Sequence, residues 1–306
     1  MNEAPGIHMV TGAFGYTGRY IANLLLSKGK KVATITGHPD ASDPLRQQIT
    51  VLPFHLDNYD ELRRSLEGVN TLYNTYWVRF PKGQTTYEKA VENTQRLIKA
   101  AEEAGVRRFV HISITHAAAD SPLPYFRGKG MLENDIVGSK LSYVILRPTV
   151  IFGRGDILLN NIAWLLRRLP VFTVPGMGEY RLQPVFVEDL AELAVNAAQE
   201  DENIVMDAVG PETYAYNELV RLIADRTGSR AKIVHVSPKA ALFLAKLIGY
   251  VVKDVVIKKE EIKGLMAGLL VSDSIPTGRT RLSEWLDLNA DRLGTTYASE
   301  VQKHYR

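Results

Sequence analysis

"IHMVTGAFGYTGRYIANLLLSKG", residues 7–29, decides how the chain is read. Its opening residues are apolar and β-prone, and its second half has helical periodicity and stops at Gly29. Between the two stand Gly12, Gly15 and Gly18. Gly12 permits a tight turn, Gly15 lets the backbone approach a pyrophosphate, and Gly18 lets the helix pack closely on the strand. Free amides at a helix N-terminus then favour a doubly charged phosphate. Phe14, Tyr16, Thr17 and Arg19 belong to the same candidate cofactor-binding turn. Glycine spacing alone also suits a purely structural turn; the flanking strand and helix favour a dinucleotide.

Outward from this turn, β-rich runs alternate with helical ones. "KVATITG", "VLPFHLD", "TLYNTYW", "RRFVHISIT" and "SYVILRP" read as strands, and "NYDELRRSLEG" and "TYEKAVENTQRLIKAAEEAG" as helices. Continuous apolar strands suit a parallel sheet covered on both faces, and strand–helix alternation predicts a doubly wound α/β fold of the Rossmann type. After Pro148 the rhythm breaks into glycine- and proline-marked loops around one helix. "QPVFVEDLAELAVNAA" then resumes a strand–helix unit, and "NIVMDAVG" rejoins the sheet. From Pro211 the chain reads as mostly helical. The expected division is a nucleotide-binding domain over 1–152 and 183–210, with a smaller, mostly helical lobe over 153–182 and 211–306.

The end of the second strand bears on the cofactor. An NAD site usually places Asp or Glu there, against the ribose 2′-hydroxyl. This chain has Thr36, Gly37 and His38 in "TITGHPD", which leans toward NADP over NAD, with Arg19 and His38 as the nearest cations. Asp57, after the third strand, is placed to accept from the adenine amino group or to cap the helix near Asn58.

"SPLPYFRGKGMLENDI", residues 121–136, holds the one tyrosine of fourteen with a lysine four places on. On a helix Tyr125 and Lys129 share a face. A nearby ammonium favours the phenolate, so Tyr125 could exchange a proton with a substrate hydroxyl or carbonyl during hydride transfer. Ser113 or Thr115, in the preceding strand, would orient the substrate oxygen. Two neighbours on an ordinary helix give the same spacing by chance. Gly128 and Gly130 flank Lys129, and glycine weakens a helix interior by ~1 kcal/mol.

Bulk properties narrow the classes. A net charge of +3 with scattered basic residues and no aromatic–basic stripe argues against nucleic acid. With no cysteine there are no disulfides, thiolate metal sites or cysteine nucleophile, and a reducing compartment fits. No His or carboxylate spacing resembles a metal site. The N-terminus has no signal-peptide core and no run is long enough to span a bilayer, pointing to a soluble, cytoplasmic protein. "WLLRRLP" and "KAALFLAKLIGYVVKDVVIKKEEIKGLMAGLLV" are apolar with interspersed lysines. They read as packed helices of the substrate lobe ahead of an amphipathic surface facing a membrane or respiratory complex.

"TGAFGYTG", "VHIS", "YFRGK", "LRPTVIFGRGD" and "QPVFVEDLA" occur in an order and spacing that resemble an extended or atypical short-chain dehydrogenase/reductase. The likeness covers nearly the whole chain. It is closest to the NAD-dependent epimerase/dehydratase branch related to the nucleotide-binding accessory subunit of respiratory complex I, which "WLDLNADRLGTTYASEVQKHY" also resembles. The resemblance implies that Gly12, Gly15 and Gly18 hold phosphate, Asp57 meets adenine, Asn74 and Tyr76 line the cofactor, and Pro148 and Thr149 border the nicotinamide. It makes Ser113, Tyr125 and Lys129 the catalytic set and Asn93 structural. Only twelve positions separate Ser113 from Tyr125, a shorter loop than in sugar-nucleotide enzymes. The expected function is an NAD(P)-dependent oxidoreductase of a small carbonyl or hydroxyl compound. The alternatives are a nucleotide-sugar epimerase/dehydratase and a non-catalytic NADPH-binding sensor or complex I accessory or assembly protein. Related folds also pair as homodimers.

Overall fold

The computed structural model of the chain describes residues 6–37 and 42–304. They fall into two compact units, Met1–Pro148 with Leu190–Ala208 and Thr149–Asp189 with Val209–Arg306. The helix Val187–Ala197 crosses the division.

The first unit is built in chain order from β1 (Ile7–Thr11), α1 (Tyr16–Ser27), β2 (Lys31–Thr36), β3 (Thr50–Pro53), α2 (Tyr59–Ser65), β4 (Val69–Asn74), α3 (Tyr87–Glu103), β5 (Arg108–Ile112), α4 (Pro124–Gly138) and β6 (Ser142–Pro148). The strand Ile204–Ala208 completes a seven-stranded parallel sheet in the order β3-β2-β1-β4-β5-β6 and then Ile204–Ala208. Helices flank it in Rossmann fashion, as the strand–helix alternation predicts. Strand order reverses between β1 and β4, where open α/β sheets leave a crevice beyond the strand ends. All five residues of β5 are buried, consistent with a strand covered on both faces. Met9, Ile35, Leu62, Leu72, Leu97, Phe109, Leu132 and Ile145 form the middle of the core.

Arginine also enters this core. Arg108 is fully buried and donates to the carbonyls of Ala197 (3.2 Å) and Glu202 (2.6 Å) and to the Ser142 hydroxyl. Its guanidinium thereby ties β5 to the segment that leads into the last strand.

In the second unit, Ile151–Phe152 pairs with Val185–Phe186, Arg181–Leu182 with Tyr214–Ala215, and Val171–Pro175 with Lys232–Val236. Around these pairs lie the helices Leu158–Arg168, Tyr216–Thr227, Pro238–Val252, Lys259–Met266, Leu282–Asn289 and Glu300–His304. Leu159, Ile162, Phe172, Leu219, Ile223 and Leu286 share its core.

The second unit is mostly helical, as the sequence suggests, and adds a parallel pair between Val171–Pro175 and Lys232–Val236. Partners so far apart in the chain leave no hairpin signal. Its boundaries differ from 1–152 and 183–210: Ile151–Phe152 and Val185–Phe186 pair with each other and not with the large sheet.

Candidate functional site

The glycine turn closes as its sequence requires. Gly12 has φ +65°, the Gly15 amide donates to the Gly12 carbonyl at 2.8 Å, and a Cβ on Gly18 would lie 2.5 Å from that same oxygen. Only glycine permits this approach of helix to strand. The Ala13 amide donates to the Thr34 hydroxyl at 3.1 Å, fixing the turn against β2. Gly15 is the N-cap of α1, yet no side chain caps this end and its first turn holds no acid. A helix end left uncapped and without a carboxylate suits a phosphate, so the residues fit the pyrophosphate of a dinucleotide.

The surroundings of the turn add an ion pair beside it. Arg19 donates to the Phe14 carbonyl at 3.3 Å and forms an ion pair with buried Asp43. Asp43 also accepts from the Leu45 amide at 3.0 Å, capping the short helix Pro44–Gln47. An acid therefore stands beside the turn, a few residues later than the strand end where sequence reasoning looked for one. The strand end itself carries no acid, and Asp43 is committed to Arg19 and to the Leu45 amide. His38 lies outside the described residues. Asp57 is exposed four residues beyond β3, and the cap of α2 is Asn58, which accepts from the Glu61 amide at 3.2 Å. Of Asp57's two readings, the helix cap is corrected to its neighbour.

At the end of β4 the resemblance-derived residues are knitted to β1. The Thr11 hydroxyl donates to Asn74 Oδ1 at 3.1 Å and accepts from the Thr75 and Tyr76 amides at 2.8 and 3.0 Å. Asn74 in turn donates to His111 Nδ1 at 3.0 Å, and Asn93 donates to the Tyr76 hydroxyl at 2.9 Å. Burial raises the Tyr76 phenol above its usual range, and the Asn93 bond opposes that shift. Burial, and then the charge of Lys129, holds His111 well below the ordinary imidazole value. Pro148 is buried and ends β6; Thr149 belongs to the second unit, where its hydroxyl donates to the Gln183 carbonyl.

α4 carries the tyrosine and lysine. It begins at Pro124, well suited to a first helical position, and runs unbroken through Gly128 and Gly130. Both glycines serve close packing. A Cβ on Gly128 would meet the Trp77 ring at 2.8 Å, and one on Gly130 would lie 2.3 Å from the Ala118 backbone. The Tyr125 ring meets Trp77 edge-on at 5.6 Å and Tyr87 at 5.9 Å. One turn on, Lys129 is 2% exposed. Its ammonium donates to the Ile112 carbonyl at 2.6 Å and sits 4.6 Å from the centre of the Trp77 ring. Tyr125 and Lys129 are thus joined through one indole. Burial pulls the Lys129 pKa down to about 7, with Glu133 opposing that shift.

Ser113 is committed differently from the expectation. It is buried and donates its hydroxyl proton to Glu133 at 2.5 Å. Glu133 is held in turn by two-pronged bonds from Arg147 on β6, at 3.0 and 3.1 Å from Nε. Glu133 raises the Arg147 pKa further. Thr115, the other candidate, is also buried, and its amide donates to the Pro148 carbonyl at 3.1 Å. Sequence reasoning missed Trp77, Glu133 and Arg147. A signal was present for Glu133, which continues the face of Tyr125 and Lys129 in steps of four. Nothing local marks Trp77 or Arg147. Three buried polar atoms in this region lack partners among the described residues: Trp77 Nε1, Asn93 Oδ1 and His111 Nε2. Folds rarely leave such atoms unmet.

Residues 12–155 match the family model described as NAD(P)H-binding. The mitochondrial NADH dehydrogenase [ubiquinone] 1 alpha subcomplex subunit 9 of Mus musculus is 30% identical over 231 residues, 71% of this chain and 60% of that protein. The chain therefore spans about three fifths of that relative's length. Triphenylmethane reductase of Citrobacter sp., solved with NADP(H), superposes with TM-score 0.74 at 18% identity, over 92% of this chain and 99% of that one. UDP-glucose 4-epimerase of Thermotoga maritima, with UDP-glucose, gives 0.68 at 16% identity over 93% and 97%. At such identities the two structures establish the shared fold. Residues 12–155 thus match the NAD(P)H-binding family, and over 231 residues the chain is similar to the NADH dehydrogenase alpha-subcomplex subunit 9.

Proposed function

We propose that the protein is an NAD(P)(H)-dependent oxidoreductase acting on a small hydroxyl or carbonyl compound, with Tyr125 exchanging the proton. The observation that carries this reading is Lys129. A buried ammonium that forms no ion pair with a described carboxylate is unfavourable for folding alone, and such groups cluster at functional sites. Its position one turn from Tyr125 gives it a task, to favour the phenolate. A bound nicotinamide would supply or accept the hydride. In the oxidative direction the substrate C–H leaves as hydride and its O–H proton passes to the Tyr125 oxygen, giving a carbonyl; reduction reverses both transfers. Ser113 spends its hydroxyl donor on Glu133, so toward a substrate it offers only acceptor lone pairs. Gly12, Gly15, Gly18 and the first turn of α1 would hold the pyrophosphate, with Asn74 and Tyr76 fixing the β4 side.

A second reading keeps nucleotide binding and drops the chemistry: an accessory protein associated with a respiratory complex. The Ser113–Glu133 bond favours it, since a serine whose hydroxyl already donates to Glu133 has no donor left for a substrate carbonyl. The relative named as a complex I subunit favours it too.

The experiment is a titration with NADPH and NADH, followed by energy transfer from tryptophan to nicotinamide, on wild type and Tyr125→Phe. A screen of alcohols and carbonyls read by nicotinamide absorbance follows. Equal nucleotide binding by both proteins, with turnover only by wild type, supports the oxidoreductase. Equal binding without turnover by either supports the accessory reading. Failure of both to bind at micromolar levels sinks both.

A further inference from the structure

The helix Pro238–Val252 presents an apolar face to solvent. Phe243, Leu247, Tyr250 and Val251 are 61%, 51%, 88% and 78% exposed. Their spacing of four, three and one puts them on a single stripe, on the side away from buried Ala241 and Gly249. The sequence suggests that these residues pack inside the lobe; the structure turns them outward.

What flanks the stripe distinguishes the kinds of partner. Lys239 and Lys246 stand seven residues apart, close to two helical turns, so they line one edge of the same face; Lys253 follows as the left-handed cap of the helix's C-terminal end, and all three are exposed. No Asp or Glu occurs between Pro238 and Lys253. The first acid, Asp254, is turned inward: its carboxylate accepts from the Tyr297 hydroxyl at 3.1 Å and the Glu300 amide at 2.7 Å. Protein interfaces deplete lysine, whereas a lipid headgroup layer accommodates lysine stems lying along apolar surface with their ammonium groups in water. Tyr250, with an apolar ring and a polar tip, suits the same boundary. Among the described residues no helix is long and apolar enough to cross a membrane. The fifteen-residue helix would lie in the plane of the surface.

We propose that the Phe243–Leu247–Tyr250–Val251 face, with its lysine edge, docks on an anionic lipid surface. The apolar side chains enter the headgroup boundary, and Lys239, Lys246 and Lys253 meet the lipid phosphates and carboxylates. Electrostatic attraction and apolar burial act together, so neither alone gives stable attachment.

The test is flotation of the full-length protein with vesicles of phosphatidylcholine, and with vesicles of roughly two parts phosphatidylcholine to one part phosphatidylserine. Wild type is expected to float with the anionic vesicles, to bind neutral ones at least about tenfold more weakly, and to detach as salt is raised. Phe243→Ser combined with Leu247→Ser removes flotation, and each of Lys239→Gln, Lys246→Gln and Lys253→Gln weakens it about fivefold. These side chains are exposed, so an unchanged melting temperature accompanies the loss. Absence of flotation on anionic vesicles overturns the proposal, as does flotation that the serine variant leaves intact. Should wild type be a dimer in light scattering and the serine variant a monomer, the face belongs to a second copy of the chain and the lipid assignment is wrong.

Discussion

Ser113 donates to Glu133 at 2.5 Å inside the first unit, and Arg147 grips both oxygens of the same carboxylate. Replacing Glu133 by Gln keeps the shape but leaves Arg147 without its counter-charge. Removing one partner of a fully buried pair destabilises by about 3–5 kcal/mol. Arg147 is one-third exposed, so solvent softens the loss to about 2 kcal/mol. Urea denaturation of Glu133→Gln should show a lower midpoint at unchanged slope. Recovery of most of that loss in Glu133→Gln/Arg147→Gln would locate the effect in the uncompensated charge.

Lys129 makes stability depend on alkaline pH. Its folded pKa of about 7 lies below the ordinary 10.5 that it regains on unfolding. Between those values the unfolded chain binds the extra proton, so stability rises with pH through this window, by up to about 1.4 kcal/mol per unit. Below about 7 the lysine is protonated in both states and its slope vanishes. Lys129→Met should flatten the stability–pH curve between 7 and 10.5 without lowering stability at neutral pH. A parallel pair of curves would refute the buried-ammonium account.

Gly18→Ala places a methyl 2.5 Å from the Gly12 carbonyl. Relief requires α1 to move away from β1, at a cost of about 1–3 kcal/mol. Nucleotide affinity should fall about tenfold or more, because the amides facing the phosphate move with the helix. Calorimetric titration with NADPH, alongside thermal denaturation, separates the two effects.

The Arg19–Asp43 ion pair stands beside the glycine turn and offers a test of cofactor preference. Freeing Arg19 with Asp43→Asn should strengthen NADPH relative to NADH, by about tenfold if the guanidinium turns to a 2′-phosphate. Arg19→Ala should weaken NADPH more than NADH. Dissociation constants for both nucleotides with three proteins decide it; an unchanged ratio in both variants would remove Arg19 from the site.

The parts of the molecule legible in sequence are those fixed by local chemistry. Gly12, Gly15 and Gly18 constrain their own backbone, and strand–helix alternation around them dictates the parallel sheet. Residues that act across the fold were not legible. Glu133 meets Ser113 from twenty positions away, Asp43 reaches Arg19 across β2, and Trp77 becomes a wall only when α4 packs on it. Gly128 and Gly130 show the same limit from the other side. In sequence they weaken a helix; in the fold they let it approach the indole and the Ala118 backbone. The outward face of the helix Pro238–Val252 was not legible either, because periodicity reveals a face without saying what covers it.

Arg108 carries a consequence for how this protein can be made. Its acceptors at Ala197 and Glu202 lie past the end of the family match at residue 155. A fragment cut there would keep the whole glycine turn yet strand a guanidinium in the interior and bare the edge of β6. On the ribosome the same arithmetic applies: the nucleotide unit waits, one strand short, until residue 208 has emerged. The sequence that names this domain is therefore not the sequence that folds it.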